Sequence, residues 1–122
     1  MRGDPRRAQG LEELASRLEA FVDERDRAQF NSPKNLSMAL AGEVGELIER
    51  FQWLTQEQSQ HLSAEAHEAV RQELADVQIY LLLLARKLDI DPVEAVSDKL
   101  EVNARKYPVD EARGNARKYS DL

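Results

Sequence analysis

Cysteine is absent from this chain. That excludes a disulfide framework, thiol chemistry and a zinc–thiolate centre, and it suits a reducing cytoplasm. Glycine and proline are scarce, five and four in 122 residues. Most fall at ends and connections, which leaves long uninterrupted stretches for helix. A basic balance is also missing: 17 Lys and Arg stand against 23 Asp and Glu, a net charge of −6. Broad binding of nucleic-acid polymers or of anionic membranes is therefore not expected. The longest apolar run, residues 79–85, is far short of a membrane span. Arg2, Arg6 and Arg7 are followed by no apolar core, so no secretory signal is expected and the expected location is cytoplasmic.

What is present is the material of a soluble globular domain: 42% hydrophobic and 33% charged residues. The expected organisation is a polar lead-in over residues 1–9, one domain over residues 10–108, and a polar tail over residues 109–122. Helical spacing recurs throughout. Leu11, Leu14, Ala15, Leu18, Phe21 and Val22 predict a first helix to about residue 29. Ser32 as N-cap and Pro33 at the first position predict a second, to about residue 53. Its core side carries Leu36, Leu40, Val44, Leu47, Ile48 and Phe51. Residues 55–62 are polar and Gln-rich and read as a loop. Ser63 caps a third helix over residues 64–88, in which Val70, Leu74, Val77, Leu81, Leu84 and Leu88 alternate by threes and fours, as in a bundle seam. Asp91 and Pro92 start a fourth, to about residue 106. The fold class is all-α, a compact four-helix bundle. Residues 79–84 are apolar around most of the third helix, which points to burial against a second copy and a homo-oligomer.

Two acidic pairs stand inside the most apolar helices. Glu43 and Glu46 are three residues apart, as are Glu73 and Asp76, and that spacing puts each pair on one helix face. Like charges so placed repel, and a cation between them relieves the repulsion. Oxygen donors without nearby His or Cys suit a hard ion, Mg²⁺ or Mn²⁺. A solvated helix face is the competing reading for any isolated pair, but carboxylates in apolar helices need partners. A di-iron bundle would need Glu-x-x-His on two helices. Gln58 and Ala64 stand three residues before His61 and His67, so that design is not met. Gly42 and Gly45 cost helix propensity beside the carboxylates, and their expected use is close approach of another helix or a ligand.

Lys99, Asn103 and Lys106 follow i, i+4, i+7 on the last helix. Alone they read as a solvated edge; beside an acidic metal site they suit phosphate oxygens and a sugar hydroxyl. Tyr80 falls one turn after Asp76, placed to lie under a sugar or base. Trp53, the single Trp, reads either as partly buried core or as a stacking platform for a base.

The stretches Gly42-Glu43-Val44-Gly45-Glu46-Leu47, Phe51-Gln52-Trp53, Glu73-Leu74-Ala75-Asp76-Val77, Ile79-Tyr80-Leu81 and residues 99–108 closely resemble the MazG-like all-α NTP pyrophosphohydrolases, nearest to the dCTP pyrophosphatase branch. The resemblance runs over residues 18–122. It implies Mg²⁺-dependent cleavage of a nucleoside triphosphate between the α and β phosphates, giving the monophosphate and pyrophosphate. It implies Glu43, Glu46, Glu73 and Asp76 as metal ligands, and Lys99, Asn103, Lys106 and Tyr107 on the phosphate and sugar side. Tyr80 falls near the sugar and Trp53 near the base. It also implies a homodimer or homotetramer. The chain departs from the dCTP enzymes at Leu18, Arg27 and Asn31, where that pattern has His, Trp and His. These changes remove aromatic surface worth about 1–3 kcal/mol per stacked base.

The chemistry is intelligible from the residues. Phosphoryl oxygens repel a nucleophile, and Mg²⁺ with Lys side chains offsets that charge. A carboxylate that is not itself a ligand can take the proton of the attacking water; Glu49, one turn past Glu46, is the candidate. The first hypothesis is thus a nucleotide-pool enzyme acting on dCTP or a modified pyrimidine dNTP. The second is a non-catalytic helical interaction module. Degenerate site carboxylates would favour the module, and here all four are present.

Overall fold

The computed structural model describes residues 10–25 and 28–106. The lead-in over residues 1–9, Arg27, Tyr107 and the tail lie outside the described residues. Helix α1 is Leu11–Glu24, α2 is Pro33–Glu49, α3 is Gln56–Ser59, α4 is Ala64–Lys87 and α5 is Pro92–Lys106, with one 3-10 turn at Ala28–Phe30. Among the described residues there is no strand, so the class is all-α, as expected.

Local chemistry explains each boundary. Gly10 precedes α1 at φ 149°, a backbone region that favours glycine. The first helix ends at Glu24 rather than near residue 29. Arg25 folds back there: its guanidinium lies 3.7 Å over the Phe21 ring and donates to the Phe21 carbonyl at 3.2 Å. That satisfies a last-turn acceptor that a longer helix would have bonded internally. The Ser32 hydroxyl accepts from the Asn35 N–H at 3.1 Å and Pro33 opens α2, as predicted. This helix stops at Glu49, four residues early, where the Arg50 and Phe51 N–H groups turn to the carbonyls three residues back, Leu47 and Ile48.

The segment read as a loop holds the short helix α3. Its start is a full capping box: the Thr55 hydroxyl accepts from the Gln58 N–H at 3.1 Å, and the Gln58 side chain accepts from the Thr55 N–H at 2.9 Å. Helix α4 begins behind Ser63, as expected. After Leu88, its C-cap, Asp89 sits at φ 56°, a left-handed position that Asp tolerates better than most residues. Asp91 Oδ1 then accepts from the N–H groups of Val93 and Glu94 and starts α5.

The chain divides into two units, one through Asp89 and one from Ile90. In the first, α4 is the shared element and packs against both α2 and α1. Leu36 of α2 and Leu82 of α4 are the only fully buried apolar side chains among the described residues. Leu40, Val44, Leu47 and Phe51 are half-buried, on the side expected, whereas Ile48 is exposed. Of the α4 seam, Val70, Val77 and Leu84 are half-buried, while Leu74, Leu81 and Leu88 stand open at 54%, 43% and 51% exposure. Half of that seam is thus left open among the described residues. In the second unit, Val93, Val96 and Leu100 of α5 are exposed as well.

Candidate metal and nucleotide site

Helices α2 and α4 bring three of the four predicted ligands together. Glu73 and Asp76 lie one turn apart on α4, and Glu43 faces them from α2. One oxygen from each lies within 4.8 Å of the others. Glu73 is a buried polar residue, and Glu43 is half-buried. The Oε2 atoms of both are enclosed and accept no hydrogen bond. A buried carboxylate oxygen without a partner is costly, and a cation among these three residues would relieve that cost.

Glu46, the fourth predicted ligand, is not in that group; it lies on the exposed flank of α2, within hydrogen-bond reach of Glu43. Burial pushes the Glu43 carboxyl above its ordinary value of 4.5. The hydrogen bond with Glu46 and the charges of Glu46, Asp76 and Glu73 push it the same way. Two carboxylates at that range hold either a proton or a cation between them. The donor set is all oxygen and all carboxylate, the chemistry of Mg²⁺ or Mn²⁺, so the residues fit such an ion.

Arg50 was not among the residues singled out from the sequence. Its Nη2 donates to Glu73 Oε1 at 3.2 Å, so one oxygen of this carboxylate is held by Arg50 and the other, Oε2, is enclosed without a partner. The sequence signal was there: Arg50 stands seven residues after Glu43 and so shares its helix face.

A cleft of about 800 Å³ opens beside the carboxylates in the first unit. Glu43, Asp76 and Tyr80 line it together with Leu18 and Asn31, two of the three positions that depart from the dCTP-enzyme pattern. Arg17 and Arg25 of α1 also reach it. The walls are largely aliphatic, from Leu14, Leu18, Val22, Ile79 and Leu83. Trp53 does not line this cleft; it lies in the turn after α2, 87% exposed, so the partly buried reading of it fails. Glu49 is exposed on the flank of α2 that carries Gly42, Gly45 and Glu46. A Cβ at either glycine would meet nothing within 4 Å, so among the described residues no other helix approaches them. In the second unit, Lys99, Asn103 and Lys106 fall on one face of α5, Lys99 exposed and the other two half-buried.

The MazG-like family model matches residues 39–122. The chain is 45% identical over 114 residues to dCTP pyrophosphatase 1 of Bos taurus, covering 92% of this chain and 68% of that protein. To dCTP pyrophosphatase 1 of Homo sapiens it is 44% identical over 114 residues, covering 92% and 67%. A solved pyrophosphatase from Archaeoglobus fulgidus DSM 4304 superposes with a TM-score of 0.77 at 38% identity, over 87% of this chain and 99% of that one. The family model's match includes both acidic pairs, and the chain belongs to the MazG-like family, near its dCTP pyrophosphatase branch.

Proposed function

We propose that the chain is a Mg²⁺-dependent nucleoside triphosphate pyrophosphohydrolase that releases pyrophosphate and leaves the monophosphate. Membership of the family makes it a nucleotide pyrophosphatase; the proposal concerns the substrate, the metal and the residues. The relatives' name supports dCTP, or a modified pyrimidine dNTP, as substrate. The observation that carries the reading is the cluster of Glu43, Glu73 and Asp76 with its two unpartnered, enclosed oxygens.

In this reading Glu43, Glu46, Glu73 and Asp76 hold the cation, with Mn²⁺ able to substitute. When bound, the ion supplies positive charge against the triphosphate oxygens and acidity for water. The chain's own part is orientation and proton transfer. Glu49, exposed and one turn past Glu46, takes the proton of the attacking water as general base. Tyr80 and the aliphatic cleft receive the nucleoside. Lys99, Asn103, Lys106 and Tyr107 are assigned to phosphate and sugar, and Trp53 to the base; these assignments follow the family resemblance. A base that sits in a Leu-lined cleft is selected through few polar groups, among which the side chains of Asn31, Gln78 and Tyr80 can both donate and accept.

The expected assembly is a homodimer or homotetramer in which a second copy covers Leu74, Leu81 and Leu88. A seam with this alternation of threes and fours is complementary to another of its kind. Light scattering should give a multiple of 13.9 kDa, and Leu81→Glu should give the monomer; a monomeric wild type would remove this part. No described helix is long and apolar enough to cross a membrane, and we place the activity in the cytoplasm.

The test is pyrophosphate release from a panel of ribo- and deoxyribonucleoside triphosphates, with and without Mg²⁺, beside Glu46→Gln. Mg²⁺-dependent release from a pyrimidine dNTP, abolished by the substitution, is the expected result. Release that ignores Mg²⁺, or that survives Glu46→Gln, would overturn the assignment of the metal ligands.

A further inference from the structure

We propose that Arg50 is a built-in counter-charge for the carboxylate cluster, holding Glu73 while the cation is absent and setting how tightly a divalent cation binds. The inference rests on the cation-site reading of Glu43, Glu46, Glu73 and Asp76. It starts from Glu73, whose side chain is only 10% exposed. A carboxylate so enclosed needs a compensating charge or full hydrogen bonding. It has a partner on one side only: Arg50 Nη2 lies 3.2 Å from Oε1, and Oε2 accepts nothing. Arg50 itself is half-exposed, 48%, at the end of α2, so its own charge costs little to keep in place.

The consequence has a definite sign. With no cation bound, Arg50 offsets one of four clustered negative charges and stabilises the fold. When a divalent cation enters, Arg50 repels it. Removing the charge therefore destabilises the metal-free protein more than the loaded one, and by linkage the apparent affinity for the cation rises. A residue that merely held Glu73 in a binding orientation would act the other way, and its loss would weaken binding. The sign separates a counter-charge from a positioning residue.

The experiment titrates Mn²⁺ against wild type, Arg50→Met and Arg50→Lys at low ionic strength, following free Mn²⁺ by electron paramagnetic resonance, with thermal unfolding in parallel. Arg50→Met keeps the apolar stem and removes the charge; it should bind Mn²⁺ about tenfold more tightly, an effect the size of one nearby, half-solvated charge. The difference should shrink in high salt. Metal-free Arg50→Met should melt lower than wild type, and Mn²⁺ should close that gap. Arg50→Lys keeps the charge and should bind like wild type. Should Arg50→Met fail to fold without metal, recovery with Mn²⁺ or with added Glu73→Gln supports the proposal, and failure of both overturns it. Unchanged or weaker Mn²⁺ binding by Arg50→Met overturns it too, as does an Arg50→Lys that behaves like Arg50→Met. A wild type that binds no Mn²⁺ would instead remove the cation site itself.

Discussion

Two arginine–glutamate pairs tie α4 to its neighbours, and they differ in little except water. Arg86, near the end of α4, pairs with Glu19 of α1, both side chains 47% exposed. Arg50, at the end of α2, pairs with Glu73, which is nearly enclosed. Exposed pairs contribute about 0–1 kcal/mol, because solvent screens the attraction and two long side chains are immobilised. Breaking a buried pair by removing one partner costs about 3–5 kcal/mol, because the remaining charge is stranded. The same functional groups thus fasten the last turns of α4 in water and, in the middle of that helix, hold an enclosed carboxylate. A buried ion pair is often less stabilising than an apolar pair of the same size, so the pair at Glu73 is a poor choice for stability alone.

The comparison breaks most visibly at Glu73. A cation of this kind offsets several kcal/mol of developing charge, so Glu73→Gln should lower pyrophosphate release about a thousandfold. The metal-free protein should nevertheless be no less stable, since the amide removes a charge from a crowded cluster and half-exposed Arg50 can turn to water. A fall in activity that merely tracks a fall in melting temperature would make Glu73 structural instead.

Next in size is the response to metal and pH. The carboxyl of Glu43 is raised above 4.5, so the folded state holds its proton more tightly than the unfolded chain does. Below that value both states are protonated and nothing is lost. As pH rises from 4.5 through the raised folded value, the unfolded chain ionises first, and the metal-free protein loses stability that it does not regain at neutral pH. Mg²⁺ at about a hundred times its dissociation constant adds about 2.7 kcal/mol, roughly 10 °C for a chain of this size. That gain should be larger at pH 7.5 than at pH 5, because a raised Glu43 carboxyl makes a proton compete with the ion as pH falls. Glu43→Gln should raise the metal-free melting temperature at pH 7.5 and remove most of the response to Mg²⁺. Thermal unfolding at the two pH values checks both; an equal Mg²⁺ gain at both would place the proton elsewhere.

Much of this was legible in the sequence because the signals are local. Ser32-Pro33, Ser63 and Asp91-Pro92 name three helix starts through backbone chemistry that needs no tertiary contact, and all three hold. Helix ends were read less well. α1 and α2 stop early because Arg25 and the turn at Arg50 and Phe51 satisfy carbonyls that apolar periodicity says nothing about. The capping box over Thr55 and Gln58 was readable but hidden by a run of polar residues. At the site, spacing on single helices found Glu43, Glu73 and Asp76. Pairing across helices was invisible: Arg50 meets Glu73 over 23 residues of chain and Arg86 meets Glu19 over 67. Burial of Trp53 was misjudged for a related reason, since hydrophobicity does not say whether a partner surface exists.

Smaller again is the effect expected at Gly45. An added Cβ meets nothing among the described residues, so Gly45→Ala should stabilise α2 by about 0.5–1 kcal/mol through helix propensity and loss of unfolded-state entropy. If the glycine serves a ligand or second copy approaching the flank of Glu46 and Glu49, the same change should lower turnover or association while the melting temperature rises. Stabilisation with unchanged turnover and assembly would leave Gly45 without a role on that flank.

The smallest effect is the one that completes the comparison. Glu19→Gln removes the charge from the exposed pair while keeping the side chain's length and its place beside Arg86. The cost should be about 0.5 kcal/mol at low salt, and it should vanish by about 1 M salt, where the screening length falls to about 3 Å. Melting curves at two salt concentrations read this directly, with pyrophosphate release unchanged throughout. Arg50→Met, by contrast, strands a nearly buried carboxylate, and part of its cost should persist in high salt, because burial limits how far a monovalent salt screens Glu73. A salt-insensitive loss at Glu19 equal to that at Arg50 would mean that burial does not separate the two pairs.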